Sequence, residues 1–230
     1  MTRLASGCFA SFAGCILCVV LPARGAEGPP VAPVRPVTTT YFGTAVTDDY
    51  RYMENLQDPE VRAWQSRYLV ANSASAGGII MGGALTLDPG LFRVVLDDVG
   101  MSDTLRSETE PNGPPNVPEF GSTSQEEGFH ALYSMSAYAH VHDGTPYPAV
   151  MFTTGANDPR VASWHMLKMA ARVQAATSSG RPVLLRIDYD AGHGIGSSVM
   201  QRVNLLADEW AFAFWQLGLP AYQPRVSPGD

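Results

Sequence analysis

From residue 76 onward the chain alternates helix-like and strand-like segments, and this restricts its fold more than any other feature. "AGGIIMGGAL" predicts a helix over 76–87, and "FRVVLDDVG" (92–100) reads as a short β-branched strand. After a Pro/Gly/Asn-rich stretch at 103–122, read as a long loop, residues 124–140 are helical, with Ser124 and Glu127 in capping-box spacing. "YPAVMFTTG" (147–155) is a strand, 163–179 a helix ending at Gly180, 181–190 a strand and 197–217 a closing helix. Strands separated by helices require right-handed crossovers, so the expected fold is α/β: a mostly parallel sheet flanked by helices. At 230 residues and 45% hydrophobic composition, one sizeable core can form. Upstream, the Pro-rich 27–40 reads as an extended, poorly packed lead-in. A helix then starts at Asp58-Pro59-Glu60, a capping Asp followed by Pro at the first helical position. Val61, Trp64, Tyr68 and Leu69 repeat at helical spacing.

In open parallel sheets, chemistry gathers at the carboxyl ends of the strands. Three loops at such ends carry Ser75 in "SASAGG", Asp158 in "TTGANDPRV" and His193 in "DYDAGHGIG". The order Ser, Asp, His is that of α/β-hydrolases. At least one β/α unit separates each pair, so the three loops can meet on one sheet edge. Ser75 would attack a carbonyl, His193 would take its proton, and Asp158 would hold the imidazole's tautomer. A sharp nucleophile turn needs small residues two before and two after the serine. Ser75 has Ser73 and Gly77 there, whereas Ser73 has no glycine at either place. The helix after Ser75 aims its dipole and the Ala76 N–H at a developing oxyanion. The motif S-x-S-x-G-G taken alone is equally a loop of small residues. Asp97 and Asp98 are rival candidates for the acid, and Asp188 and Asp190 lie close before His193.

Taken together, these segments resemble the prolyl oligopeptidase family of serine peptidases. "TDDYRYMENLQDPEVRAWQ" is similar to that family's opening signature. From Ser75 onward, "SAGGIIMGGALTLDPGLFRVVLDDVGMSDTLR", "EFGS", "YPAVMFTTGANDPRV" and "YDAGHGIG" resemble its C-terminal α/β-hydrolase domain, in the same order. The resemblance implies Ser75 as nucleophile, Asp158 as acid, His193 as base and Arg160 as a binder of substrate carbonyls. It places Met101 and Phe120 near the substrate pocket, with ordinary core packing as the alternative for both. The implied substrates are short peptides. The departures are as informative. The family has a large β-propeller between its signature and its hydrolase domain, and here "AWQSRYLVAN" runs almost directly into "SASAGG". The join falls between about 64 and 73, so the fold expected is a partial hydrolase lacking the strands before the elbow. The family's tyrosine donor to the oxyanion lies in the missing region, and Asn116 stands where a proline-stacking tryptophan is expected. Loss of one oxyanion donor removes about 2.7–4 kcal/mol of transition-state stabilisation, so weak or absent peptidase activity is expected. An esterase of the same fold and a non-catalytic remnant are the rival readings.

The organisation expected is a signal peptide at 1–26, an extension at 27–70 and a truncated catalytic domain at 71–230. Met1-Thr2-Arg3 gives a basic start, 4–23 is apolar or small, and "LPARGAEG" offers cleavage after Gly25 or Ala26. The chain is therefore read as exported, with no stable membrane insertion after cleavage. Cys8, Cys15 and Cys18 all lie in that segment, so a mature chain has no disulfide and no thiol chemistry. A net charge of −7 without a basic stripe argues against a nucleic-acid partner. No metal and no cofactor are expected. His140, His142 and Asp143 in "HVHDG", with His130, are a weak metal candidate and read better as a surface loop. His165 reads as a surface or satisfied core histidine, and Trp210, Phe212, Phe214 and Trp215 as core. The oligomeric state is left open.

Overall fold

The computed structural model describes residues 31–194 and 196–224. The signal segment read at 1–26 lies outside them. The end of the lead-in read as extended at 27–40 is a regular, mostly exposed strand. Strand β1 (Val37–Tyr41) pairs antiparallel with β2 (Thr44–Asp48). Their turn, Phe42-Gly43, has φ of 49° and 83°. Positive φ at both central residues matches the twist of a two-residue hairpin, at a steric cost that Phe42 carries.

Helix α1 (Pro59–Tyr68) starts as its sequence predicts. Asp58 accepts from the Glu60 and Val61 N–H groups, and Pro59 occupies the first turn. The helix stops at Tyr68, and Leu69 turns to extended backbone. The next element corrects the expectation that no strand precedes the elbow. Residues "VANSA" form β3 (Val70–Ala74), although Ala, Asn and Ser are weak strand formers. Pairing decides the matter, because β3 lies parallel to β4 (Val94–Asp98), with Ser73 opposite Asp97 and Ala74 opposite Asp98. Between them runs α2 (Gly77–Leu87).

The 103–122 stretch is also corrected. It contains α3 (Thr104–Ser107) and α4 (Gly113–Phe120), where Pro114 and Pro115 sit in the first turn and give up N–H groups that have no helical partner there. Helix α5 (Glu126–Met135) begins after Gln125 and has no capping box, since Ser124 bonds Ser122 instead. Strand β5 (Ala149–Gly155), α6 (Trp164–Ala176), β6 (Val183–Asp188) and α7 (Val199–Gln216) complete the chain's main elements.

The sheet order is β3-β4-β5-β6, all parallel. Strands β4 and β5 are central and almost wholly buried, which is why they read as continuous apolar runs. One face packs Val95, Val150 and Phe152 against Leu85 of α2 and Met166, Met169 and Val173 of α6. The opposite face packs Val94, Leu96, Ala149 and Met151 against Phe212 and Ala213 of α7. Because every strand runs the same way, all four carboxyl ends lie on one edge, where the loops carrying Ser75, Asp158 and His193 emerge. Strand β3 is itself an outer strand of this sheet.

Candidate active site

Ser75 occupies the sharp turn between β3 and α2, with a φ of 59°. A non-glycine residue held there is strained, and three hydrogen bonds hold it: Ser75 N–H donates to the Asp98 carbonyl, while its own carbonyl accepts from Gly78 and Met101 N–H. The tightness of this turn dictates Gly78. A Cβ there would lie 2.6 Å from the Met101 nitrogen and 2.7 Å from the Gly100 Cα. Ala76 is an exposed residue at the start of α2, and its N–H meets no acceptor among the described residues. It is therefore open to a developing negative charge, which the helix dipole also favours.

The structure brings the three residues singled out in the sequence into one hydrogen-bonded chain. His193 Nε2 is 2.8 Å from Ser75 Oγ, and His193 Nδ1 is 2.7 Å from Asp158 Oδ2. The Asp158 side chain is fully shielded and that of His193 is 8% exposed. Asp158 Oδ1 accepts from the N–H groups of Arg160 and Val161. Burial pushes the Asp158 pKa up, but the hydrogen bond from His193 and those two backbone donors outweigh it, and the carboxyl rests below its ordinary value. The ionised carboxylate is an acceptor only, so Nδ1 carries the imidazole proton and Nε2 is left to accept from the Ser75 hydroxyl.

The loops after β5 and β6 meet because of residues the sequence reading did not single out. Asn157 N–H donates to the Ala191 carbonyl, and its side-chain amide donates to the Tyr189 carbonyl. Gly155 lets the two backbones touch, since a Cβ there would lie 2.3 Å from the Gly192 oxygen. A glycine ending a buried strand was the one available signal.

The rival acids do other work. Asp98 bonds the Thr153 hydroxyl. Asp97 is buried and accepts from Ser73 Oγ at 2.7 Å. Asp188 caps the Asp190 N–H. Exposed Arg160 lines a cleft of about 400 Å³ together with Asn157, Pro159, Asp190 and His193. Neither Met101 nor Phe120 lines that cleft. The Met101 side chain is buried at 4% exposure, and Phe120 is half-buried at the end of α4. Asn116 is half-buried in α4. Asp143 pairs with Arg172, and no cluster of three metal-ligating side chains occurs among the described residues. His165 is fully buried and bonded to Glu110. The aromatic group on α7 is only partly core: Phe212 is buried, while Trp210 is half-exposed. Among the described residues no helix is long and apolar enough to cross a membrane.

Residues 61–220 match the model of the prolyl oligopeptidase family. The chain belongs to the prolyl oligopeptidase family. A prolyl endopeptidase of Elizabethkingia miricola is 35% identical over 153 residues, 66% of this chain and 22% of that enzyme. A prolyl endopeptidase of Dictyostelium discoideum is 33% identical over 63% of this chain and 19% of its own length. Among solved structures, a prolyl endopeptidase superposes with a TM-score of 0.66 at 31% identity, covering 73% of this chain and 24% of that one. Oligopeptidase B of Trypanosoma brucei, with covalently bound antipain, superposes at 0.63 and 28% identity over 67% of this chain and 22% of that one. The chain thus spans about a fifth of the length of these relatives.

Membership of the prolyl oligopeptidase family accounts for the architecture, a parallel sheet flanked by helices of the α/β-hydrolase type. The matched segment begins in α1 and runs past α7, so it takes in β3 and the whole sheet.

Proposed function

We propose that this chain is a serine peptidase of the prolyl oligopeptidase class that hydrolyses short peptides. The observation that carries this reading is the unbroken chain of hydrogen bonds from Ser75 through His193 to Asp158. Ser75 Oγ attacks the scissile carbonyl while His193 Nε2 takes its proton. The peptide C–N bond then breaks, with that proton passed to the leaving amine. Water, deprotonated by the same histidine, releases the acyl group from Ser75. Asp158 stabilises the imidazolium, and the Ala76 N–H supports the oxyanion. Arg160, at the rim of the cleft beside His193, is suited to bind a substrate carbonyl.

Turnover is slow in this reading. Ala76 supplies one oxyanion donor, and a second is worth about 10²–10³ in kcat. Ser75 also follows an outer strand, paired on one side among the described residues. The sequence at 1–26 supports export, which sequencing the N-terminus of secreted protein would test. The decisive measurement is labelling by a fluorophosphonate probe, with peptides and p-nitrophenyl esters compared as substrates. Labelling lost in Ser75→Ala, with cleavage of short peptides, supports the proposal. Ester hydrolysis without peptide cleavage would convert it to an esterase, and an unlabelled folded chain would overturn it.

A further inference from the structure

A second histidine–carboxylate pair lies beside the Asp158 loop, wholly inside the protein. His165, in the first turn of α6, is fully buried, and Glu110, between α3 and α4, is 6% exposed. Their protonation follows from geometry. The Asp103 backbone N–H donates to His165 Nδ1 at 3.0 Å. That nitrogen must be bare, so the ring is neutral and its proton sits on Nε2. Nε2 lies 2.6 Å from Glu110 Oε1, to which it donates. The other oxygen, Oε2, accepts from Ala162 N–H at 2.5 Å. Both oxygens face an N–H, so the Glu110 carboxyl has a donor on each arm.

Ala162 is the residue after Val161. The Val161 and Arg160 N–H groups are the two that grip Asp158 Oδ1. A second tether reaches the same loop, since the Asn112 side-chain amide donates to the Arg160 carbonyl at 3.3 Å. The 158–162 turn is therefore held on one side by Glu110 and Asn112, and holds Asp158 on the other. The pair has its own supports: Ser102 Oγ donates to the His165 carbonyl, and Lys168 pairs with Asp103, whose N–H sets the tautomer.

We propose that Glu110, locked by neutral His165, is a positioning residue for Asp158. It touches no reacting atom. It fixes the backbone donors that aim the acid at His193 and that keep the acid ionised. The proposal rests on the reading of Ser75, His193 and Asp158 as a catalytic triad. Its chemistry demands a carboxylate, because a glutamine offers one acceptor and one donor where two donors converge. Glu110→Gln therefore turns one of the two bonds into an N–H facing an N–H.

The test measures the rate of fluorophosphonate labelling of Ser75 against pH in the full chain, for the parent, Glu110→Gln and Asn112→Ala, with thermal unfolding alongside. A loosened Asp158 stabilises the imidazolium less, so both variants should label about 10- to 100-fold more slowly, with the pH midpoint shifted downward. Asn112→Ala removes only an exposed tether, so it decides the matter if Glu110→Gln fails to fold. A purely structural role predicts a lower Tm with the parental midpoint, and that result would overturn the proposal. If the parent itself leaves Ser75 unlabelled, the triad reading fails separately. The positioning claim is then read from the NMR resonance of the His193 Nδ1 proton, which the variants must displace if it stands and leave in place if it falls.

Discussion

Replacing Asp97 by asparagine should flatten much of this protein's pH-dependent stability. Asp97 is 2% exposed on the central strand β4, and among the described residues its hydrogen-bonding side-chain partner is Ser73 on the outer strand β3. Burial pushes its pKa from the ordinary 3.8 up to about 7; the Ser73 hydroxyl pulls it down, and neighbouring Asp98 adds to the rise. The sign is set by linkage. A carboxyl with a raised folded pKa binds its proton more tightly when folded, so its stabilising effect is fully present below 3.8. It is lost as pH rises through about 7. At about 1.4 kcal/mol per unit, the shift corresponds to roughly 4 kcal/mol between acid and mildly alkaline pH. Asparagine has the same shape, can still accept from Ser73, and carries no such charge. Urea unfolding followed by circular dichroism from pH 4 to 8.5 gives the comparison. The variant should lose roughly half of the parent's decline, since Asp98 is also raised by burial, and be the more stable protein at pH 8.5. A shallower decline of the same sign should remain, because burial also pushes Glu209 up to about 7. Parallel curves for parent and variant would refute the reasoning.

The same geometry fixes other outcomes. Asp158→Asn presents an amide to His193 Nδ1 and favours the wrong tautomer, so Ser75 labelling should fall by about 10³–10⁴-fold, with a lower Tm at neutral pH as the carboxylate's stabilisation is lost. Asp158 itself adds stability above its ordinary pKa of 3.8, lost as pH falls through its lower folded value; Asp158→Asn should unfold with a weaker dependence below pH 4. Gly155→Ala forces a Cβ against the backbone at 191–192; it should part the β5 and β6 loops and abolish labelling before it abolishes the far-ultraviolet signal. Phe152→Ala empties a site 1% exposed in the main core and should cost about 3–5 kcal/mol in urea unfolding.

Some of the molecule can be read directly from its residues. Asp58-Pro59-Glu60 opens α1 because a capping side chain and a proline act within one turn. The apolar runs at 92–100 and 147–155 become β4 and β5 because a strand buried on both faces has nowhere to put a polar side chain. The order Ser75, Asp158, His193 carries the hydrolase pattern, since each lies just past a strand of a parallel sheet. These are local signals, or signals of order along the chain. Distance across the fold decided the remainder. "VANSA" has little strand propensity and became β3 only through its ladder to β4. The prolines of 103–122 looked like loop, yet two of them fall where a helix needs no N–H. Asp97, Asp98, Asp158 and Asp188 are chemically alike and all near strand ends. Which one meets His193 depended on Gly155 and Asn157 drawing two loops together. Glu110 and His165, 55 residues apart, face each other only because α6 packs against the segment joining α3 to α4. Residue type sets what a group can do and period sets which element carries it; its partner is set by packing, which brings together residues far apart in the chain.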